Sequence, residues 1–519
     1  MEFLFLLLFA SIIGFAVESS DDPADESSGD DSIPDTDPVF WNGTENNDTY
    51  VHDGRGVIAG LGGDDMLEVG GYSQAEGGSG DDTISVYDLS KGLGGQGDDT
   101  MVIHNEGVGV GGSGDDSIWS YDATKSYGGA GQDYMFANRF AEVTGGSGDD
   151  HLVINNQAKG GGGEGDDYIV TRHSARAWGG MGDDTIDALD NSTVVGNSGD
   201  DLLNLSDNAV AYGRQGSDSF VLNDKSTGYG ESGSDDFLMA DTATAYGGAG
   251  NDTFSDAGKL GEADRGGAVT GYGGAGDDTF EGYGLATYYG GSGDDVYFAR
   301  LMNAADKVYG GSGDDTLFMG RGGEGSGGSG DDIVVADGNG TISGGAGNDL
   351  LVFERTVAMS STGALDNGME PTDPAQIDIT ATGGEGNDGF LLSNEMFHPD
   401  IQNFDGTSPE AGSAAEADLL ATAFPAADMI GTITDFNPTE DTLLLELPET
   451  STGYALGAVT TQAVAGETAV DVSITMTHAT DPGQPDMVRT IRLVGTTTFD
   501  TASLVQIEAL GTPPAAATT

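Results

Sequence analysis

Cysteine is absent from this chain. That excludes disulfides, zinc-thiolate sites and cysteine nucleophiles, and an exported chain without them needs another staple, such as bound metal. Basic residues are scarce: 17 Lys and Arg stand against 88 Asp and Glu, for a formal net charge of −71. Nucleic acid and anionic membrane are excluded as electrostatic partners, because both would be repelled. Self-repulsion on this scale also predicts a disordered chain when no counter-ion is bound. Six histidines are present, none in an H-E-x-x-H pair, which removes the zinc-protease reading. No G-x-S-x-G elbow and no Walker-type Gly-Lys-Ser/Thr occurs. The chain is therefore not expected to be an enzyme, unless an unrecognised site lies in residues 390–519. Long apolar runs are also missing, apart from Phe3–Val17. That run is short for a membrane span, and Glu2 stands where a secretory segment carries Lys or Arg. A cleaved signal, a short tether and an unusual start on a protein exported by another route all stay open.

What is plentiful is glycine, with 89 residues, and it is placed periodically. The phrase Gly77-Gly78-Ser79-Gly80-Asp81-Asp82 recurs, with its last Asp at Asp65, Asp82, Asp99, Asp116, Asp133, Asp150, Asp167, Asp184, Asp201, Asp218, Asp235 and Asp252, each step being 17 residues. Further copies end at Asp278 and Asp295, then at Asp315, Asp332 and Asp349, and a last one at Asp388. A fixed period of this length means one structural unit stacked many times. Glycines let the chain turn tightly. A tight turn aims backbone carbonyls at one point, and the Asp adds a carboxylate, giving the all-oxygen surroundings that calcium prefers.

After each Asp the chain alternates as a strand does, with Ile84 and Val86 one way and Thr83 and Ser85 the other. The position two after the Asp is apolar in every copy, from Leu67 and Ile84 to Leu351 and Phe390. At about 4.8 Å per coil these side chains form an internal ladder. Small residues such as Ser73, Ser90, Ala141, Ala158 and Ala209 fill the other half of the coil. Large against small makes a thin, flattened solenoid whose coils do not fold singly. Stacking also sets the Asp carboxylates in register, roughly 5 Å apart, where like charges repel by about 1 kcal/mol in water and several-fold more at lower dielectric. Cations between the loops would remove that repulsion.

The phrase resembles the GGxGxDxUx nonapeptide of RTX (repeats-in-toxin) calcium-binding proteins, over roughly residues 43–388. The resemblance implies a parallel β-roll with Ca2+ held between successive loops by Asp carboxylates and loop carbonyls, so that the metal ligands here are the eighteen Asp residues above. One departure matters. In that family two nonapeptides build an 18-residue coil with calcium on both edges, whereas here the period is 17 with one phrase per coil. A single file of calcium along one edge and a metal-free turn on the other are expected. Ile433-Thr434-Asp435-Phe436 with Glu440-Asp441-Thr442-Leu443 resembles the segment that follows the repeats in many such proteins, where the C-terminal end carries an uncleaved signal for type I (ABC-transporter) secretion. The resemblance thus implies an extracellular, secreted or cell-surface protein with that apparatus as a partner during export.

The expected fold is all-β, a right-handed parallel β-solenoid of 17-residue coils with a small β-rich C-terminal cap. Its parts are an apolar segment 1–17, an acidic linker 18–40, the calcium-binding solenoid 41–353, an insertion with the last repeat 354–427, and the cap and secretion region 428–511. Gly43–Asp48 reads as a degenerate capping coil, and short insertions near 259–268 and 301–306 read as loops bulging from a turn. Function then falls to a structural, surface or adhesive role. The alternative is glycan binding by an aromatic row just before each loop: Tyr127, Trp178, Tyr212, Tyr229, Tyr246, Tyr272, Tyr289 and Tyr309. Facing outward the row would be a binding strip, and facing inward it would fill the corner beside the turn. The packing reading is preferred here.

Overall fold

The computed structural model describes residues 38–256, 268–299 except 284, 306–354 except 321, 357–359, 379–393, 401–403, 427–447, 454–478 and 486–507. The apolar segment 1–17, most of the linker, the cores of the two short insertions and most of 354–427 lie outside them. The described chain is all-β and is built as a parallel solenoid of 17-residue coils. No helix in it is long and apolar enough to cross a membrane.

Each coil lays one strand in each of two sheets. Glu142–Ser147 runs into a glycine loop, and His151–Asn155 leaves it after Asp150. A turn at Asn156-Gln157, both with left-handed φ, returns the chain to Lys159–Glu164. The next coil repeats this one step along, with Leu152 opposite Ile169 and Val143 opposite Gly160. Insertions do not disturb the register. Thr244 pairs with Thr270 across 26 residues, Thr287 with Lys307, and Gly340 with Ile379. The ladder continues across each insertion as if the extra residues were not there.

Alternation decides what is buried. The apolar position after each Asp is fully inside, from Leu67 through Ile186 and Phe254 to Phe390. The small residues of the opposite turn, Ser90, Ala141, Ala158 and Ala209 among them, are buried against it. Where the same ring recurs in successive coils the core stacks: Phe220, Phe237, Phe254 and Phe280 lie 4.6–4.9 Å apart and nearly parallel.

The C-terminal strands continue the stack. Ala427–Ile433 pairs in parallel with Ile379–Glu385, and Thr442–Glu446 with Gly389–Leu392. Met487–Val494 then adds in parallel to Ala427–Ile433, and Val505–Ile507 to Thr442–Glu446. The hairpin of Tyr454–Ala463 and Ala469–His478 closes this end by pairing antiparallel with Met487–Val494. Residues 428–511, set apart above as a cap, are thus joined to the solenoid through its own ladders.

The stacked core gives a direct expectation. Phe237→Ala removes a fully buried ring from between two others. A loss of about 3–5 kcal/mol is expected for an unrelaxed cavity of that size, read as a lower urea midpoint under the conditions in which the wild-type chain is folded.

Candidate metal centre

The glycine loops stack as tightly as the strands. Gly148 has φ +118°, and a Cβ placed on it would lie 2.1 Å from the carbonyl oxygen of Gly131 in the coil below. No side chain fits there, so glycine is required by contact as well as by conformation. Loop amides bond between coils too, Gly131 N–H donating to the Ser147 carbonyl at 3.0 Å.

The closing Asp of each loop is almost fully buried, Asp150 being 2 % exposed. Its Oδ1 accepts the backbone N–H of the Asp one coil earlier: Asp133 N–H donates to Asp150 Oδ1, and Asp150 N–H to Asp167 Oδ1, both at 2.8 Å. The relay survives every insertion, running from Asp252 to Asp278 and from Asp295 to Asp315 at 2.8 Å. All eighteen predicted ligands therefore stand in one column.

The other carboxylate oxygen is left over. In seventeen of the eighteen, Asp65 through Asp349, Oδ2 is buried with no hydrogen-bond partner in the described structure. It faces the first glycine of its own loop. A Cβ on Gly145 would lie 2.0 Å from Asp150 Oδ2 and 2.7 Å from the carbonyl oxygen of Gly162. Most loops thus keep a cradle, opened by the missing side chain, in which an orphaned carboxylate oxygen and a carbonyl of the next coil converge. Buried acceptors without donors are rare because each costs about 1–3 kcal/mol. The donor set is all oxygen, which suits a hard cation such as calcium. Among the described residues no three His, Cys, Asp or Glu side chains converge on one point, so backbone carbonyls would have to complete any coordination.

Two parts of this centre escaped the sequence reading. The first is the preceding Asp of each pair, exposed and forming a second column whose relay runs the other way. Asp98 N–H donates back to Asp81 Oδ1 at 3.0 Å, while Asp99 N–H donates forward to Asp116 Oδ1 at 2.8 Å. The doubled Asp of each phrase was the available signal. The second part is the ends. Asp48 N–H donates to Asp65 Oδ1, and Asp388 N–H to Asp441 Oδ1 at 3.3 Å, so Asp48 and Asp441 extend the column. Asp435 accepts the Gly383 and Gly384 amides with its two oxygens at 3.0 Å.

The opposite edge is a plain turn. Left-handed pairs such as Asn105-Glu106, Asn156-Gln157 and Asp207-Asn208 close it, as short turns of this hand favour. The aromatic row corrects the packing preference: it faces outward. Tyr212, Tyr229, Tyr246, Tyr272, Tyr289 and Tyr309 stand on the outer face of the glycine-side sheet, 4.7–5.0 Å apart with ring planes within 12° of parallel. Trp178 and Tyr127 are also exposed.

Burial sets the charge state of the column. Desolvation pushes the carboxyl of Asp82 up to about 6, of Asp99 to about 7, and of Asp201 and Asp278 to about 8, opposed by the relay hydrogen bond and reinforced by neighbouring carboxylates.

No protein-family model and no curated protein matches the chain. Among solved structures, a hyperactive, Ca2+-dependent, β-helical antifreeze protein from an Antarctic bacterium is similar at 16 % identity and a TM-score of 0.23, over 72 % of this chain and 99 % of that one. A likeness this remote carries no ligand or activity across.

The raised carboxyls fix a pH dependence. In the ion-free fold these groups hold protons that the unfolded chain, with an ordinary value of 3.8, has already released. Folding then takes up protons, and stability falls as pH rises from about 4 towards 8. In excess chelator the β-structure is expected to be firmer at pH 4.5 than at pH 8, checked by thermal melts followed by circular dichroism at both values.

Proposed function

We propose that this chain is a calcium-binding β-solenoid of the RTX kind that folds as it takes up calcium outside the cell. The observation that carries the reading is the buried column of orphaned Asp Oδ2 atoms, most of them opposite a carbonyl of the next coil. Asp150 with the Gly162 carbonyl, and the equivalent pairs along the stack, would hold the ion. A divalent cation supplies at that place the positive charge and the partner that the carboxylate oxygen lacks. The chain's own groups do the rest. The relay N–H orients each carboxylate, the glycine leaves room beside it, and the ladders transmit order from one coil to the next. With imidazole and thiolate absent from the column, the donors suit calcium and not zinc.

Export follows from the same chemistry. An ion-free chain of net charge −71 resists collapse at low calcium and so suits passage through a type I exporter, while sites of the extracellular kind bind at roughly 10⁻⁴–10⁻³ M. Eighteen coils at about 4.8 Å make a rod of about 85 Å, suited to a structural, surface or adhesive spacer. Glycan binding on the tyrosine row has less support. Sugar rings stack on open aromatic faces, and within this row each inner ring has both faces covered by its neighbours.

Two measurements test the reading. In a calcium titration of the full-length chain at pH 7.5, far-ultraviolet circular dichroism is expected to show a cooperative coil-to-β transition at sub-millimolar to millimolar calcium, with magnesium inert. A chain fully β in excess chelator at that pH would overturn coupled folding. The second is the triple variant Asp133→Asn, Asp150→Asn and Asp167→Asn. Each change can keep the Oδ1 acceptor while putting an amide donor opposite the carbonyl. The variant is expected to bind fewer calcium ions by direct counting and to hold more β-structure in chelator than the wild type.

A further inference from the structure

The second sheet carries an apolar, aromatic outward face over five successive coils, and the same column turns apolar again at Phe298, Phe318, Val335 and Val352. In the coils of Thr100–Ile103, Ser117–Tyr121, Tyr134–Asn138, His151–Asn155 and Tyr168–Arg172, the outward column through the middle of the sheet reads Val102, Trp119, Phe136, Val153 and Val170. Beside it stand Tyr134, His151 and Tyr168. None of the outward positions on these five strands is Asp or Glu, in a chain with 88 acidic residues. The same column carries Ser85 and then Glu68 beyond one end of the patch, and Asp187 directly beyond the other. The patch is about 20 Å long at one coil per 4.8 Å, straight, and half-exposed throughout.

Its rings are set differently from those of the tyrosine row. Trp119 and Tyr134 are tilted by 52°, Tyr121 and Phe136 by 51°, His151 and Tyr168 by 46°, and Tyr134 meets His151 edge-on at 89°. Tilted rings cover one another less completely than parallel ones, although Tyr121 is stacked on His104 at 4.9 Å. The margin supplies polar groups: Asn138, Asn155 and Arg172 lie along one side, and at the end of the middle column Asp187 accepts hydrogen bonds from Tyr168 Oη and Asn204 Nδ2 at 2.8 and 2.9 Å.

We propose that this face is a docking platform for a neutral polysaccharide. Pyranose rings present C–H faces that pack on aromatic planes and hydroxyls that hydrogen-bond at the rim, and a linear chain of them fits a straight strip. Charge selects the class. A polyanion, or a second copy of this acidic chain, is repelled by the acidic surface around the patch, whereas an uncharged chain meets no such repulsion and finds no carboxylate to desolvate at the outward positions of these five strands. Exposed apolar patches of this kind mark binding surfaces.

The test is affinity gel electrophoresis of the full-length chain, in calcium, through gels containing hydroxyethylcellulose, soluble β-1,3-glucan or dextran, with alginate as the polyanionic comparison. Retardation by at least one neutral glucan is expected. It should weaken tenfold or more in the Trp119→Ala/Phe136→Ala double variant and in Tyr134→Ala, each matched to wild type by circular dichroism, and stay unchanged in Tyr246→Ala on the opposite face. Absence of retardation in all three neutral gels, retardation by alginate alone, or full retention by both platform variants would overturn the proposal. So would a wild-type dimer, seen by light scattering, that the double variant abolishes.

Discussion

The solenoid depends on one hydrogen bond repeated along its length, from the backbone N–H of each loop Asp to Oδ1 of the Asp in the next coil. That bond fixes the carboxylate against the loop, and by fixing one oxygen it strands the other. An orphaned buried acceptor costs about 1–3 kcal/mol. With seventeen of them, the total exceeds the roughly 5–15 kcal/mol by which a folded domain is stable. The column must therefore carry either protons or cations. Protons serve below the raised values, about 6 for Asp82, 7 for Asp99 and 8 for Asp201 and Asp278. As pH climbs past those values cations are the remaining choice, and the glycine cradle offers a place for them.

The two Asp columns look alike in sequence and differ in what they tolerate. The inner one is Asp in all eighteen copies. The outer one is Gln132, Ser217, Ser234, Asn251, Asn348 or Asn387 where it is not Asp. The substitutions show what the outer position does. Asn251 Oδ1 accepts Asp277 N–H, and Asn348 Oδ1 accepts Asn387 N–H, as an Asp would. An acceptor is enough there, exposed and screened by salt. The inner position shares that acceptor task and yet admits no amide, so what it needs beyond an acceptor is negative charge. Charge confined to a buried oxygen with no donor nearby is compatible with a cation held there.

Period and alternation made most of this legible. A strict step of 17 set the register, the buried position after each Asp set the core, and interruptions of the step marked the loops that leave the coil. The unread parts have physical causes. A residue beside a glycine loop can face either way, because alternation fixes parity within a strand but does not say whether an aromatic at its end belongs to the core. Tyr229 and Tyr246 are outside because Gly228, Ala245 and the loop glycines occupy the inner positions. Asp441 joins the column across 53 residues from Asp388, where no period points to it. The outer column was hidden by its neighbour, since one Asp per loop already satisfied the motif.

A parallel stack has no intrinsic length, and its last strand offers unpaired amides and carbonyls to any chain that can add to it. Here the two ends are finished differently. At the start, Val39–Asn42 leads into the ladder with Trp41 stacked on Tyr50 at 4.5 Å, a ring pair covering the open end of the core. At the other end the direction of the sheet is reversed. The antiparallel hairpin lies on Met487–Val494, and Arg492 clamps Asp471 with two hydrogen bonds of 2.8 and 3.2 Å. A coil of the repeating kind needs a parallel edge with a glycine loop to stack on, and the hairpin presents neither. At that edge of the glycine-side sheet the repeat meets no match, for the same reason that the stack forms at all: each coil is complete only against a neighbour of its own geometry.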